Sequence, residues 1–162
     1  MSLELTVNRI RDIGLFGGLA DEALEALLKS LPVIEASPGD VVFQEGDSGR
    51  EMFVILDGEI EVLRHSKRRH ETRVALLGPG DWFGEMSILD VLPRSATTRA
   101  IASTHLLRLT AHELDALYRR DVRSYSLLVL NIAREMSRRL RVADGLIAEM
   151  VNNVMDQYVR RG

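Results

Sequence analysis

The stretch MFVILDGEIEVL, residues 52–63, decides the structural class of the middle of the chain. It contains two apolar runs of strand length on either side of the pair Asp57-Gly58. An Asp-Gly pair suits a type I′ turn, because both central residues of that turn have positive φ. The stretch therefore predicts two antiparallel strands joined by a tight hairpin.

A period of two continues on both sides of this stretch, from Val33 to Thr110. The other short runs with strand character are VIEA, VVFQ, TRVALL, SATTRAIA and HLLRL. SPGD at 37–40 and GPGD at 78–81 each place Pro and Gly at the centre of a type II turn, where the glycine has positive φ. Such strands and turns predict a mainly β domain with flanking helices, built on an eight-stranded antiparallel jelly-roll-like β-barrel.

Helical patterns flank the predicted barrel. Short helices are predicted at residues 3–12, 20–31 and 111–119, and one long helix from about 123 to 160. The apolar stripe of the long helix is formed by Ile132, Met136, Leu140, Ala143, Ile147, Met150, Val154 and Tyr158. A helix of roughly 35 residues is about 50 Å long and extends beyond a domain of this size. We therefore expect its end to pack against a second copy in a homodimer.

Length and composition limit the class of protein. The 162 residues suffice for one domain, which we divide into an N-terminal helical segment (1–32), a β-roll (33–110) and C-terminal helices (111–162). The absence of cysteine excludes disulfides, iron–sulfur clusters and zinc–thiolate sites. A net charge of −3 argues against a protein that mainly coats nucleic acid. The chain has no run of membrane-spanning length and no signal-peptide core, so we expect a cytoplasmic protein that does not bind membranes.

The stretch FGEMSILDVLPRSATTRA, residues 83–100, interrupts the strand pattern and carries the candidate site. Gly84 allows the backbone to approach a ligand closely. Residues 85–89 can form one helical turn, whose free N–H groups suit an anion. The planar guanidinium of Arg94 suits a phosphate better than the point charge of a lysine does. This region therefore predicts a site for one phosphate group.

The residues around this predicted phosphate site narrow the ligand. Ser95 adds a hydroxyl donor and Ala96 an accessible backbone N–H, whereas Glu85 suits a neighbouring sugar hydroxyl. A 3′,5′-cyclic nucleotide fits, because it has one anionic phosphate and one free 2′-hydroxyl. The alternative is an internal ion pair between Glu85 and Arg94 in a loop that is only a connection. That alternative explains neither Gly84 nor the small residues that follow Arg94.

The same stretch resembles the phosphate-binding cassette of cyclic-nucleotide-binding domains. The matching motifs are FGE at 83–85 and PRSA at 93–96. LFGGLADEALEALL, SPGDVVFQEGD, FVILDGEIEV and LGPGDWFGE also match, in the order of the family. The resemblance extends over roughly residues 13–145 and implies a β-roll whose long C-terminal helix covers the ligand.

The resemblance also implies site residues, with the phosphate-binding cassette at residues 83–96. The residues that it places at the phosphate and the ribose are Gly84, Glu85, Met86, Arg94, Ser95 and Ala96. Among them, Arg94 and Ser95 would bind the cyclic phosphate together with backbone near Gly84 and Ala96. Glu85 would bind the ribose 2′-hydroxyl.

The base is assigned less directly. Val62 and Val74 are candidate apolar walls for it, although both also suit a barrel core. Arg141 and Asp144 lie in the part of the long helix that would face the base. Asp144 could accept from the adenine amino group or take two bonds from guanine, and a surface aspartate is an equal interpretation. We favour cAMP over cGMP and keep both as ligands.

Other functions stay open as alternatives. The chain could be a scaffold or dimerisation module with a non-functional pocket. A metal-dependent barrel enzyme would need a histidine cluster, and the pair of histidines in RHSKRRH (64–70) has no third ligand. We therefore expect a receptor that signals to an unidentified protein, with no catalytic residue, no metal and no cofactor besides the nucleotide ligand.

Direct DNA binding is not expected from the sequence. The basic residues of REMSRRLR, 134–141, alternate with the apolar stripe and are interpreted as a solvated helix face. The chain ends at Gly162 and leaves no room for a helix-turn-helix domain after the long helix.

Overall fold

The computed structural model describes residues 5–66 and 70–159, so part of the basic segment 64–70 lies outside the described residues. The strands are β1 (Val33–Ala36), β2 (Val41–Phe43), β3 (Glu51–Asp57), β4 (Ile60–His65), β5 (Glu71–Leu77), β6 (Trp82–Phe83), β7 (Thr97–Ala100) and β8 (Thr104–Thr110). The helices are α1 (Val7–Arg11), α2 (Asp21–Ser30), α3 (Met86–Leu89), α4 (Ala111–Arg120) and α5 (Val122–Val159), with a 3₁₀ turn at Gly14–Phe16.

The eight antiparallel strands form two four-stranded sheets. The strand order is β1-β8-β3-β6 in the first sheet and β2-β7-β4-β5 in the second. The predicted eight-stranded antiparallel architecture is confirmed, although its strands form two sheets and not a closed barrel. The strand β6 lies at an edge of the first sheet, where it pairs with β3, and was not predicted from the sequence.

The predicted hairpin at Asp57-Gly58 is wrong. The strand β3 pairs with β8 and β6, whereas β4 pairs with β5 and β7, so the two strands belong to different sheets. Gly58 has a φ of 87°, but Asp57 does not have the positive φ that a type I′ turn requires. A Cβ atom on Gly58 would lie 2.5 Å from the carbonyl oxygen of Ser103. The glycine therefore allows the chain to pass close to Ser103 as it changes sheets.

The two predicted type II turns are confirmed. Gly39 and Gly80 have φ values of 93° and 89°. The N–H of Asp40 donates to the carbonyl of Ser37 over 2.9 Å, and the GPGD turn has the equivalent bond over 3.0 Å. Proline sets φ at the second position of such a turn and glycine accepts the positive φ at the third, so these local sequences determine their own conformation.

The strand β3 of the first sheet is buried on both faces. Met52 and Val54 on β3 point into a cluster shared with the N-terminal helices and α5, whereas Phe53 and Ile55 point between the two sheets. Burial on both faces accounts for the uninterrupted apolar run of β3. Helices from both ends of the chain share this core with the β-roll. The predicted division into residues 1–32, 33–110 and 111–162 stays a prediction.

The long helix α5 has two different halves. Leu128 and Ile132 are fully buried, and the amide nitrogen of Asn131 donates to the carbonyls of Leu15 (3.0 Å) and Gly17 (2.9 Å). From Leu140 onward the described side chains are exposed. None of the helices in the described ranges is long and apolar enough to cross a membrane.

Candidate functional site

A cavity of about 510 Å³ lies between the end of the β-roll, the segment 84–96 and α5. The β-roll contributes Phe43, Val62, Val74, Ala75, Leu77, Phe83 and Thr98 to its lining. The segment 84–96 contributes Gly84, Glu85, Met86, Ser87, Arg94, Ser95 and Ala96. One face of α5 contributes Glu135, Arg138, Arg139, Val142, Ala143 and Leu146. All six residues predicted from the sequence for a phosphate and a ribose thus line one cavity.

The side chain of Arg94 is held rigidly at this cavity. It is only 3% exposed, and its Nη1 donates to the carbonyls of Glu51 (2.7 Å) and Gly84 (3.1 Å). Its Cζ lies 4.0 Å from the ring centre of Phe43, which is the geometry of a cation–π contact. The Nε atom is buried and has no hydrogen-bond partner among the described residues. One edge of the guanidinium is therefore anchored, while its Nε donor is left unused.

Burial lowers the pKa of the Arg94 side chain, and the carboxylates of Glu51 and Asp47 partly offset that effect. The Nη2 atom lies 3.9 Å from the Oε1 atom of Glu51. A guanidinium stays protonated in proteins, so Arg94 carries its positive charge inside the cavity wall. A buried positive charge with an unused donor is the arrangement that an anion would complete.

Two glycines make room for the Arg94 side chain. A Cβ atom on Gly49 would lie 2.5 Å from Nη2 of Arg94, and one on Gly84 would lie 2.9 Å from Nη1. Gly84 also has a φ of 85°, a conformation that residues with a Cβ rarely adopt. Gly84 is predicted from the sequence to let the backbone approach a ligand, and that role stays a prediction; the contacts of Gly84 and Gly49 with Arg94 are not predicted, because they are not local in the sequence.

Glu85 is buried at the junction between the cavity and α5. It is 5% exposed, and its Oε1 lies 3.3 Å from Nη1 of Arg139. Arg139 also donates from Nη2 to the carbonyl of Trp82 (2.9 Å) and from Nε to Glu135 (3.1 Å). Burial raises the pKa of Glu85, whereas the charge of Arg139 lowers it and that of Glu135 raises it.

The alternative of an internal ion pair between Glu85 and Arg94 is contradicted. Glu85 pairs with Arg139, and the acidic partner of Arg94 is Glu51. The interpretation of REMSRRLR as a wholly solvated face is also wrong at Arg139, whose guanidinium binds the segment that precedes α3. An i, i+3, i+4 pattern at residues 135, 138, 139, 142 and 146 is the sequence signal that predicts this second face of α5.

The remaining predicted residues occupy different positions. The Ser95 hydroxyl lies 3.6 Å from the sulfur of Met86, and both residues are exposed at the cavity. Val62 and Val74 line the cavity. Arg141 and Asp144 are exposed and do not belong to its lining, so their contact with a base stays a prediction.

A metal site has no support in the described part of the chain. No group of three or more His, Asp or Glu side chains suited to a metal ion occurs there.

Comparison with known proteins identifies relatives of this architecture. The family model described as "Cyclic nucleotide-binding domain" matches residues 33–121. The chain is 38% identical over 130 residues to the cyclic AMP receptor protein of Thermus thermophilus, a match that covers 80% of this chain and 58% of that protein. It is 30% identical over 138 residues to a CRP-like cAMP-activated global transcriptional regulator of Mycobacterium tuberculosis, covering 85% of this chain and 60% of that protein.

A solved structure shows the same fold. The crystal structure of the Thermus thermophilus catabolite activator protein superposes with a TM-score of 0.75 at 36% identity. The superposition covers 85% of this chain and 62% of that one. The chain thus spans about 60% of the length of these relatives.

Proposed function

Because this chain belongs to the cyclic nucleotide-binding domain family, we propose that it is a non-catalytic receptor for a 3′,5′-cyclic nucleotide, with cAMP favoured over cGMP. The observation that carries the proposal is the buried guanidinium of Arg94 in the wall of an open cavity. Its Nε has no partner among the described residues, and a buried donor without a partner costs about 1–3 kcal/mol. A cyclic phosphate supplies the missing acceptor together with the negative charge.

The phosphate and the ribose use different residues. Arg94 binds the phosphate through its unanchored donors, and Ser95 adds a hydroxyl from the exposed side of the cavity. Glu85 accepts a hydrogen bond from the ribose 2′-hydroxyl. Among the described residues its carboxylate has one cationic partner, Arg139 at 3.3 Å, so further lone pairs stay available for the sugar.

The nucleotide transmits its signal through α5. Arg139 ties the helix to Glu85 and to the carbonyl of Trp82, so the ribose site and the helix share one group of contacts. A ligand that touches Glu85 changes the stability of this junction. The ligand shifts the equilibrium between two positions of α5 only to the extent that it binds the protein more tightly when the helix is in one of them.

The exposed end of α5 serves as the homodimer interface. Leu140, Ile147 and Val154 are 62%, 59% and 53% exposed and repeat every seven residues on one face. Val142 and Leu146 line the cavity. This half of α5 therefore has two apolar faces, one toward the cavity and one toward the outside. A second copy of α5 would cover the outer face with coiled-coil packing.

The preference for cAMP rests on the relatives and on the cavity wall. The names of both curated relatives given above refer to cAMP. Val62, Val74 and Ala143 line the cavity and supply the apolar surface that we propose for the base. Asp144, the residue that would favour guanine, does not belong to the lining.

Isothermal titration calorimetry tests the proposal. We expect the full chain to bind cAMP more tightly than cGMP, and to bind 2′-deoxy-cAMP more weakly because that ligand lacks the partner of Glu85. The matched ligand control is 5′-AMP, which has the same base but an open, doubly charged phosphate. If none of the cyclic nucleotides binds at millimolar concentration, the proposal is contradicted.

A second candidate function is a dimerisation module with a non-functional pocket, which the exposed apolar face of α5 favours. That function predicts a stable dimer whose thermal unfolding is unchanged by a panel of cyclic mono- and dinucleotides. A shift of the melting temperature with any of them favours the receptor.

A further inference from the structure

Thr98 lies inside the cavity wall and was not among the predicted site residues. It is on β7, opposite Val62 of β4 and Phe43 of β2, and is only 2% exposed. Side chains alternate along an extended chain, so Thr98 lies on the same side as Ala96, which directly precedes β7 and adjoins the proposed phosphate site. Thr98 lines the same cavity as Arg94.

The hydroxyl of Thr98 has no hydrogen-bond partner among the residues that the structure describes. The two other buried threonines of the described residues, one on β7 and one on β8, have hydrogen-bond partners. The Thr97 hydroxyl accepts from the N–H of Glu45 over 2.9 Å, and that of Thr104 donates to the carbonyl of Ala102 over 2.9 Å. Buried hydroxyl groups normally have a hydrogen-bond partner, so the Thr98 hydroxyl, unpaired among the described residues, requires an explanation.

The position of Thr98 along β7 suggests which part of a ligand it meets. A strand rises about 3.3 Å per residue, so Thr98 lies roughly 7 Å beyond Ala96, on the side away from Arg94. In a cyclic nucleotide that binds its phosphate at Arg94 and its ribose at Glu85, the base is the group left to occupy this distance. Val62 and Val74 line the same cavity with apolar side chains, so Thr98 is the group on this wall that could pair with a polar base edge.

We propose that the Thr98 hydroxyl forms a hydrogen bond with the purine base of the bound cyclic nucleotide. The inference rests on the proposed function and adds a base-recognising residue to it. A hydroxyl both donates and accepts, so it can pair with a ring nitrogen or with an exocyclic amino group. It thereby favours a purine over an apolar ring of the same size.

The test compares Thr98→Val with Thr98→Ser in the full chain by calorimetric titration with cAMP. Valine keeps the shape of threonine and removes the hydroxyl, and we expect it to weaken binding about 2- to 12-fold, the usual net worth of one hydrogen bond. Serine keeps the hydroxyl and should retain most of the affinity. The melting temperature of the ligand-free Thr98→Val protein should not fall, because a buried group without a partner has been removed.

Two base analogues identify the contact. The cyclic nucleotide of benzimidazole lacks the pyrimidine-ring nitrogens and the amino group of adenine, and 7-deaza-cAMP lacks N7. The affinity difference between wild type and Thr98→Val should disappear with one of them. Its persistence with both overturns the inference, because the hydroxyl then does not contact the base.

The remaining outcomes separate this inference from the proposed function. Equal affinity of wild type and Thr98→Val for cAMP overturns the inference and leaves the receptor function intact. Equal losses in Thr98→Val and Thr98→Ser indicate packing and also overturn it. Failure of the wild type to bind any cyclic nucleotide overturns both. If Thr98→Val does not fold, the pair Thr98→Ala and Thr98→Ser, which differ only in the hydroxyl, replaces it.

Discussion

The guanidinium of Arg139 lies 3.3 Å from the carboxylate of Glu85, although 54 positions separate the two residues in the chain. Glu85 belongs to the segment that forms the candidate ribose site, and Arg139 belongs to the long helix. The same guanidinium donates to the carbonyl of Trp82, immediately upstream of that segment. A single side chain therefore joins the proposed ligand site to the proposed signalling helix.

Replacing Arg139 by glutamine should loosen α5. We expect Arg139→Gln to lower the free energy of unfolding by about 1 kcal/mol, because it leaves the buried Glu85 without its cation while solvent already screens part of the pair. Amide exchange of residues 135–146 should become faster. The control is Arg138→Gln, whose exposed pair with Glu135 is worth little, and equal effects of both variants would contradict the coupling role of Arg139.

Replacing Arg94 should affect nucleotide binding more than replacing Glu85. We expect Arg94→Ala to cost about 3 kcal/mol of binding free energy, because it removes the charged donor of the phosphate site. Glu85→Ala should cost about 1 kcal/mol, since it removes an acceptor for one hydroxyl. Calorimetric titration with cAMP measures both, and the reverse order would place the phosphate elsewhere in the cavity.

Gly49 should be required for cAMP affinity. It lies outside the cassette (residues 83–96) but contacts Arg94. In Gly49→Ala the added methyl group would lie 2.5 Å from Nη2 of Arg94, so the guanidinium must move. We expect a loss of about tenfold in cAMP affinity, equal to about 1.4 kcal/mol. Gly78→Ala is the matched control, because a Cβ there meets no atom of the described residues within 4 Å. Unchanged binding by Gly49→Ala would mean that Arg94 tolerates displacement.

His105 should make stability depend on pH. Its Nδ1 lies 2.7 Å from Asp57, and this hydrogen bond raises the pKa of His105 above its ordinary value near 6.5, with a smaller contribution from Glu35. A raised pKa in the folded state means that the stabilisation is complete below pH 6.5 and is lost as the pH rises through the raised value.

Urea unfolding at pH 6 and pH 9 checks this dependence. The stability difference between wild type and His105→Gln should be larger at pH 6. His112→Gln is the control, because His112 is exposed and does not belong to the pair between His105 and Asp57. A difference that grows toward pH 9 would refute the assigned direction.

The outer apolar face of α5 should hold two copies together. We expect the wild type to sediment as a dimer at micromolar concentration and Ile147→Asp to dissociate at least about 100-fold more readily, because a carboxylate would be buried without a partner. Asn152→Asp adds the same charge away from the stripe and should leave the dimer intact. A monomeric wild type at high micromolar concentration would exclude this interface.

The proposed phosphate site was predictable because its chemistry is contiguous. Gly84, Glu85, Arg94, Ser95 and Ala96 lie within 13 positions, and the single helical turn and the strand β7 bring them to one cavity. The type II turns were predictable for the same reason, since proline and glycine set the backbone angles of the turn that contains them.

The contacts that orient this site were not predictable from local patterns. Glu51, whose carbonyl accepts from Arg94, is 43 positions away, and Arg139 is 54 positions from Glu85. The Asp57-Gly58 pair gave the wrong connection, because a dipeptide favours a turn but does not decide which strands the flanking segments join. From the sequence Thr98 is an ordinary strand residue, and only the structure shows that its buried hydroxyl has no partner among the described residues.

By itself the sequence determined the positions of most helices and strands, the two type II turns and the short segment that contributes residues 84–96 to the cavity, because these depend on residues close together in the chain. Only the tertiary structure decided which sheet each strand joins, which residues anchor Arg94 and which helix side chain binds Glu85. Those outcomes depend on the pairing of distant segments around a shared core, where burial leaves each polar group only the partners that the fold brings within reach.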